Sequence, residues 1–261
     1  MSAVGAIEQP PILQLPGIPD FVTYTWLIMI VLAVVAFAAS RRVQLVPHGL
    51  QNFFEVVLEQ FVTLVDDLIG REGRPYLPLV ATLGIYILLA NLLGLVPGLM
   101  SPTASLNTTA ACAIIVFFVY HWIGIRKQGL LSYGRHFMGP VVWLAPLMMP
   151  IEFISHLARP LSLSLRLFGN MTGGHILLAA MFFLMGLDGL FGWALSGSVA
   201  GLTVGGLVGL LMFVFVLAFL VPLKILVSLI QAFVFVMLTC LYIAGALEEA
   251  EHHGEPHAEH H

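Results

Sequence analysis

Five polar residues recur at helical spacing inside an apolar stretch of this sequence: Glu152, Arg159, Ser162, Arg166 and Asn170. At 100° per residue the other four fall within about 40° of Arg166, so they form one polar stripe on a helix. No acidic residue lies within ten positions of Arg166. A permanent cation held there would favour the ionised form of any acid that came near it.

Arg166 cannot be explained as an interfacial residue. A central Arg costs about 2.5–3.5 kcal/mol on insertion scales, and mid-membrane lies ~15 Å from either interface, which is beyond the reach of the side chain. We therefore interpret Arg166 as functional, whereas for Arg159 both function and snorkelling to the headgroups stay open. His156 lies about 80° from Arg166, at the edge of the stripe, and His175 lies about 180° round and ~13 Å further along the helix. With Glu152 towards one end and His175 towards the other, polar paths would approach Arg166 from both sides.

A second stripe follows in the last apolar segment. Its members are separated by steps of four, three and eleven residues, which keeps them on one helical face. They are Lys224, Ser228, Gln231 and Tyr242. We expect the two stripes to face protein or water, because lipid cannot satisfy them.

Other residues of these segments are expected to be structural. Glycines at every fourth position form one smooth helical face that favours close approach of a neighbouring helix: Gly197, Gly201, Gly205 and Gly209. Cys112 and Cys240 are expected to be small core residues. The tail EEAEHHGEPHAEHH is interpreted as a solvated segment, with weak metal binding as the alternative.

Composition places these residues in a membrane protein. Hydrophobic residues make up 59% of the 261 residues and charged residues only 9%, where a soluble domain has about 25%. The formal net charge of −4 gives no reason to expect nucleic acid as a partner. The N-terminus has no basic region that would indicate a cleaved signal peptide.

Apolar runs long enough to span a bilayer cover residues 21–40, 78–100 and 109–125, and two longer runs cover 146–187 and 199–247. About 40 helical residues reach ~60 Å, twice the hydrocarbon thickness, so each long run is either two spans or one tilted helix, and we favour the second. Pro160 and Pro222 are the expected break points. Residues 48–69 have apolar residues at helical spacing with an acidic opposite face, which predicts an interfacial amphipathic helix that packs on protein.

The sequence thus predicts an all-α, polytopic integral membrane protein. It has about five membrane helices plus one interfacial amphipathic helix, and the last two helices are long and strongly tilted. We divide the chain into an outer N-terminal segment (1–20), a single helical domain (21–247) and the tail (248–261). The basic residues lie on one side of this layout, which by the positive-inside rule faces the cytoplasm and leaves the N-terminus outside. They are Arg41, Arg42, Arg71, Arg74, Arg126, Lys127 and Arg135.

The motifs RPLSLSLRLFGNMTGGH and LVSLIQAFVFVMLTCLYIAGAL closely resemble subunit a of the rotary F-type ATP synthase. The segments IEFISHLARP, LANLLGLVPG with Asn91 and Pro97, and SPTASLNTT with Asn107 extend the resemblance from about His48 to Leu247. It implies that Arg166 is the stator arginine facing the ring of c subunits, with Asn170 and Gln231 as its polar partners. His175 matches the outer access channel and Glu152 the cytoplasmic one.

The resemblance also implies the setting of the chain. Its partners would be the c-ring, the peripheral stalk subunit b and membrane lipid, in a bacterial inner membrane with a cytoplasmic C-terminus. The translocated ion would be the proton, with sodium left open, and we expect no cofactor or metal and no catalysis by the chain itself. Lys224 departs from the family, which usually has Glu or His there, so the proton relay from outside lacks the expected acid.

Two other classes of function remain open from the residues alone. An independent secondary transporter or channel would use Arg166 to bind an anionic substrate, and would transport without a ring. A structural membrane anchor would use the polar stripes only to hold helices together.

Overall fold

The structure, a computed structural model, describes residues 13, 16–41, 49–96, 99–129, 145–185, 190–196, 198–199 and 201–252. Eight α-helices are recorded within these ranges: α1 Asp20–Ser40, α2 Leu50–Leu68, α3 Leu77–Leu93, α4 Leu106–Gln128, α5 Ala145–Met185, α6 Leu190–Leu195, α7 Gly206–Phe215 and α8 Val221–His252. Several residues used above lie outside the described ranges: residues 1–12, Arg42, Pro97, Arg135, Gly197 and the tail beyond His252.

Five helical segments of the described chain are long and apolar enough to cross a membrane. Three are Asp20–Ser40, Arg71–Leu93 and Leu106–Lys127, and two longer ones begin at Met148 and Gly201. The 41 residues of α5 reach ~60 Å, so this helix keeps its apolar surface within a ~30 Å hydrocarbon layer only by inclining strongly. The polytopic all-α fold expected from the sequence is confirmed.

The second membrane helix ends earlier than the sequence predicted. α3 stops at Leu93, and the N–H groups of Leu95 and Val96 donate to carbonyls three residues back, at 3.0 and 3.1 Å. The hydroxyl of Ser101 then donates to the carbonyl oxygen of Ala90 at 2.7 Å, which satisfies one of the last acceptors of the helix. The prediction of a helix through residue 100 is therefore wrong, because the chain tightens and turns at Gly94.

The two predicted proline breaks have different outcomes. α5 runs through Pro150 and Pro160 without interruption, so the break predicted at Pro160 is wrong. At Pro222 the regular α-helical pattern is interrupted but the chain stays helical, because a π-helical turn, Val216–Leu220, immediately precedes α8. Pro222 has no N–H to donate to the carbonyl four residues back, and the wider turn accommodates this loss before the helix restarts.

The glycine face packs against a helix, as its spacing predicted. A methyl carbon added at Gly201 would lie 2.3 Å from the carbonyl oxygen of Trp193, and one at Gly205 would lie 2.9 Å from the Trp193 ring. At Gly209 the nearest atom would be a ring carbon of Phe191, at 3.4 Å. Any side chain at the first two glycines would therefore displace α6.

The chain separates into two compact units. The first unit is Met1–Ile28, Ile87–Ser105 and Leu167–Gln231, and the second is Met29–Tyr86, Leu106–Arg166 and Ala232–His261. The first unit has a core cluster of Met185, Val216 and Leu220. The core of the second unit contains Val65, Val80, Tyr120, Ile123, Val236, Cys240, Ile243, Ala246 and Leu247. Both cysteines are free and buried, as expected.

The amphipathic helix is α2, and it packs on protein within the second unit. Val65 is fully buried in the core, and Phe61 lies so close to Gly84 that a methyl carbon there would be 2.9 Å from its ring. On the polar side, Arg74 donates two hydrogen bonds to the Asp66 carboxylate, at 3.0 and 2.7 Å. These bonds and the guanidinium charge hold the pKa of Asp66 below its ordinary value.

Candidate functional site

Arg166 is exposed on the surface of α5, in the second unit. Of its neighbours on this surface, Ser162 is polar and exposed, while Leu161 and Leu165 are apolar and exposed. Among the described residues, no hydrogen-bond or ion-pair partner of the guanidinium is recorded. A cation on an apolar membrane helix is costly unless a polar group pairs with it.

The α5 stripe is exposed or half-buried along its length. Ser162 is exposed like Arg166, and three members are half-buried: Glu152, Arg159 and Asn170. The fully buried side chains in this part of the helix are Leu163, Leu167 and Met171. At 100° per residue they lie about 60° to 140° from Arg166, so the polar stripe borders the buried face of the helix.

Two glycines widen the open surface on the same side of the helix. Gly169 and Gly173 are exposed, and a methyl carbon added at either would have no neighbour within 4 Å. At three and seven residues beyond Arg166, they lie about 60° and 20° from it around the helix. Small residues on a membrane helix let another backbone approach closely, so this exposed stretch of α5 leaves room for one.

Within the first unit, Asn170 and Gln231 contact each other. The Asn170 Nδ2 donates to Oε1 of Gln231 at 3.4 Å, which joins α5 to α8. Gln231 is only 5% exposed, and Lys224 and Ser228 of the same stripe are buried as well. The second stripe thus faces protein, as expected, and in the second unit its last member, Tyr242, is half-buried.

His175 and Lys224 each lie over a glycine of the first unit. A methyl carbon at Gly94 would be 2.6 Å from Nε2 of His175, and one at Gly174 would be 2.9 Å from Cε of Lys224. Both side chains therefore occupy space that only glycine leaves.

Five buried polar atoms of the first unit have no hydrogen-bond partner among the described residues: Thr23 Oγ1, His175 Nε2, Lys224 Nζ, Ser228 Oγ and Gln231 Nε2. Buried polar atoms are almost always paired with protein or with water. Lys224, Ser228 and Gln231 share one face of α8, so water beside that face would find several donors and acceptors.

A hydrogen-bonded network that the sequence analysis missed lies in the same unit. The Thr103 hydroxyl donates to Oδ1 of Asn91 at 2.7 Å, and its oxygen lies 2.7 Å from that of Ser101. Asn91 Nδ2 reaches the carbonyl oxygen of Ser228 at 3.5 Å. The signal was an Asn inside an apolar run, followed by a short turn, Pro102–Ala104, that carries Thr103 and is flanked by Ser101 and Ser105. Asn107, which the sequence favoured, lies exposed in the first turn of α4 in the second unit.

A polar cluster in the second unit surrounds His156, which the sequence placed at the edge of the stripe. Nε2 of His156 lies 3.4 Å from a Glu152 oxygen, and Nδ1 lies 3.2 Å from the hydroxyl of Tyr120. Arg159 has a protein partner, because its guanidinium lies 5.5 Å above the ring of Tyr242. This cation–π contact does not require the side chain to extend to the headgroups.

Comparison with known proteins gives one family. The family model described as the ATP synthase A chain matches residues 22–244. Among similar proteins, ATP synthase subunit a 1 of Pelobacter propionicus is 48% identical over 236 residues, covering 88% of this chain and 89% of that protein. ATP synthase subunit a of Geobacter sulfurreducens is 47% identical with the same coverage. Subunit a 2 of Syntrophotalea carbinolica is 48% identical, covering 91% of this chain and 90% of the relative.

Proposed function

The chain belongs to the ATP synthase A chain family, that of subunit a of the membrane sector, and from this premise we propose that it is the stator that passes protons to and from a ring of c subunits. It is a multi-pass membrane protein of ATP synthesis that works with other subunits of the synthase. In the proposed role it performs no catalysis itself. It provides two offset half-channels that couple ion flow to rotation.

The observation that carries the proposal is the exposed guanidinium of Arg166 on an apolar surface, beside two open glycines. A ring helix approaching at Gly169 and Gly173 would bring its mid-membrane carboxylate to Arg166. Facing the fixed cation, that acid favours its ionised form and gives up its proton. Once it is reloaded from the other side it is neutral, and the neutral form can rotate through lipid at low cost.

Arginine suits this task better than lysine. Its guanidinium keeps its charge in every protein environment, whereas a buried lysine readily loses its proton. The permanent charge also repels protons that would otherwise leak directly between the two paths. We therefore assign to Arg166 the role of the electrostatic gate between the two half-channels. Asn170 and Gln231 provide the polar surroundings of the passing carboxylate.

The outer half-channel is assigned to the first unit. Its supports are the buried atoms of His175, Lys224, Ser228 and Gln231 without a partner among the described residues, and the network around Asn91. Water in such a place would find several donors and acceptors, which is the condition for a stable buried water. Lys224 takes the place where the family usually has an acid or a histidine. The two basic side chains, His175 and Lys224, would therefore handle protons entering from outside.

The cytoplasmic half-channel is assigned to the second unit, with Glu152 at its entrance. Glu152 is half-buried and its side chain retains 37% exposure, so it is accessible to water at one end of α5. Arg159, Ser162 and Tyr242 complete the polar lining, and Asn107 is proposed as a lining residue near the start of α4. The domain division at residues 20 and 247 remains a prediction.

The proposed partners are the c-ring along α5 and α8, subunit b of the peripheral stalk, and lipid. The proposed location is a bacterial inner membrane, with the N-terminus outside and the C-terminus in the cytoplasm. The clustering of basic residues supports this orientation through the positive-inside rule. Family membership favours this role over the independent transporter and the structural anchor.

The test is ATP-driven proton pumping by the assembled synthase in inverted vesicles with Arg166→Ala. We expect coupled pumping to be lost while the chain still assembles, because Arg166 supports no contact of the described fold. Leu165→Ala, at an exposed neighbouring position, is the matched control and should pump normally. Coupled pumping by Arg166→Ala at the unmodified rate would exclude the assignment.

A further inference from the structure

His156 is a buried histidine with a polar side chain near each ring nitrogen. It is 5% exposed, and it lies between a half-exposed carboxylate on its own helix and a buried phenol on α4. Nε2 lies 3.4 Å from Oε1 of Glu152, and Nδ1 lies 3.2 Å from the Tyr120 hydroxyl. All three residues belong to the second unit.

The Tyr120 hydroxyl has two acceptors within reach. One is Nδ1 of His156 at 3.2 Å, and the other is the main-chain carbonyl oxygen of His156 at 3.5 Å. A phenol has one proton to donate, and rotation about its C–O bond directs that proton to either acceptor. The hydroxyl can therefore pair with His156 whether Nδ1 carries a proton or a lone pair.

The contact between Glu152 and His156 is an ion-pair distance rather than a hydrogen bond, so the partly exposed Glu152 side chain must turn to align with Nε2. With that alignment, three protonation states of the cluster can form. When Nδ1 carries the only ring proton, it donates to the phenol oxygen, the phenol donates to the carbonyl, and Nε2 accepts from a protonated Glu152. When Nε2 carries the only ring proton, Nε2 donates to an ionised Glu152 and Nδ1 accepts a hydrogen bond from the Tyr120 phenol. When both nitrogens are protonated, the imidazolium donates to the carboxylate and to the phenol oxygen.

From this geometry we propose that His156 is a proton store that serves Glu152, with Tyr120 as its positioning residue. A proton that arrives on the Glu152 carboxyl passes to Nε2 of His156, so an O–H bond breaks and an N–H bond forms. The neutral acid and neutral imidazole become a carboxylate and an imidazolium, and the reverse step returns the proton. This assignment rests on the proposed function, in which Glu152 is the entrance of the cytoplasmic half-channel.

The store gives Glu152 a second proton site behind its own. Transfer to His156 regenerates the carboxylate, which then captures another proton from water while the first is held. This matters most when protons are scarce on the cytoplasmic side, because then capture limits the supply to the ring. A histidine suits the task because it changes charge in the physiological range of pH.

Other titratable and charged groups face His156 from the elements around it. On its own helix these are Glu152 and Arg159, whose guanidinium lies over Tyr242 of α8. On α4, the ring of His121 lies 5.3 Å from that of His156, and its Nδ1 donates to the carbonyl oxygen of Phe117 at 2.9 Å. Because that bond lies within α4, His121 provides a nearby histidine outside the three-residue chain.

The test is the pH profile of ATP-driven proton pumping in inverted vesicles, where the medium contacts the cytoplasmic side. We expect His156→Gln to assemble and to pump normally at acidic pH, but to lose pumping at alkaline pH, with the alkaline midpoint lowered by about one unit. Tyr120→Phe should also lower the midpoint of the alkaline side of the pH profile, because it removes the hydroxyl that pairs with Nδ1 of His156 whether or not that nitrogen carries a proton. His121→Gln is the control and should leave the profile unchanged.

Each outcome decides between a relay and a structural histidine. A His156→Gln profile that superimposes on that of the unmodified enzyme overturns the proposal, as does an equal shift in His121→Gln. If His156→Gln fails to assemble, Tyr120→Phe decides alone, and an unmoved alkaline limb overturns the proposal. Failure of the wider function is distinguishable, because that would appear as normal pumping by Arg166→Ala at every pH.

Discussion

The imidazole of His175 occupies the space that a side chain on residue 94 would need. A methyl carbon added at Gly94 would lie 2.6 Å from Nε2 and 2.7 Å from Cε1 of His175, far inside van der Waals contact. Gly94 follows α3 and His175 lies on α5, so this contact fixes the position of the ring within the first unit. The glycine is therefore a positioning residue for the proposed outer half-channel.

Gly94→Ala should displace the His175 ring and reduce coupled pumping by about tenfold, since misplacement of a reacting group by ~1 Å has effects of this order or larger. The overpacking should also lower the free energy of unfolding by about 1–3 kcal/mol. The measurement is pumping per assembled synthase in vesicles. Gly245→Ala, where an added methyl carbon has no neighbour within 4 Å, is the control. Equal pumping by the two variants would show that the position of His175 has no influence on coupling.

Lys224→Glu should change the pH dependence of ATP synthesis. The side chain is buried over Gly174, and its ammonium has no partner among the described residues. Replacing the ammonium with a carboxylate reverses the charge at this position of the proposed outer half-channel. Lys224→Gln, which removes only the charge, should move the profile in the same direction by a smaller amount. Profiles of both variants that coincide with the unmodified one would remove Lys224 from the half-channel.

Gly173→Leu should block coupling without damaging the fold of the chain. The glycine is exposed with open space around it, so a larger side chain fits the isolated subunit but obstructs a helix that approaches Arg166. We expect normal membrane levels of the chain and loss of ring binding or of pumping. Gly206→Leu on α7, another glycine without a neighbour within 4 Å, should remain active. Full activity of Gly173→Leu would place the rotor elsewhere.

The Asp66–Arg74 pair should give a small stabilisation that depends on pH. Because the pKa of Asp66 is lowered in the folded chain, the contribution is present above its ordinary value of 3.8 and is lost as the pH falls through the folded-state pKa. Asp66→Asn should lower the melting temperature in detergent at neutral pH by at most about 4 °C, since exposed ion pairs contribute little. At sufficiently acidic pH the two melting temperatures should converge. A difference that persisted there would mean that Asp66 stabilises α2 by another route.

The sequence allowed the prediction of what depends on local periodicity. Spacing alone put Arg166 and Ser162 on one face and predicted the buried stripe of Lys224, Ser228 and Gln231. The interruption of the α-helical pattern before Pro222 followed from the missing N–H. The end of α3 was not predictable in this way, because residues 94–96 are as apolar as the helix before them and the turn depends on the tertiary contacts of Gly94 and Ser101.

Contacts between distant residues were also beyond the reach of periodicity. Tyr120 and His156 are 36 residues apart on different helices, and nothing in their local sequence indicates that they meet. The same holds for Thr103 with Asn91, whose hydrogen bond depends on how the turn after α3 folds back. At Pro160 the local sequence predicted too much, because the proline favours a break but the helix continues through it.

The central claim is that the guanidinium of Arg166 faces the carboxylates of a rotor, and a density map of the assembled membrane sector tests it most directly. We predict that a ring helix lies against Gly169 and Gly173, with its mid-membrane carboxylate within about 6 Å of Arg166, the range over which opposite charges shift a pKa. A map in which the ring contacts another face, or in which Arg166 is paired with an acid of its own chain, would contradict the account.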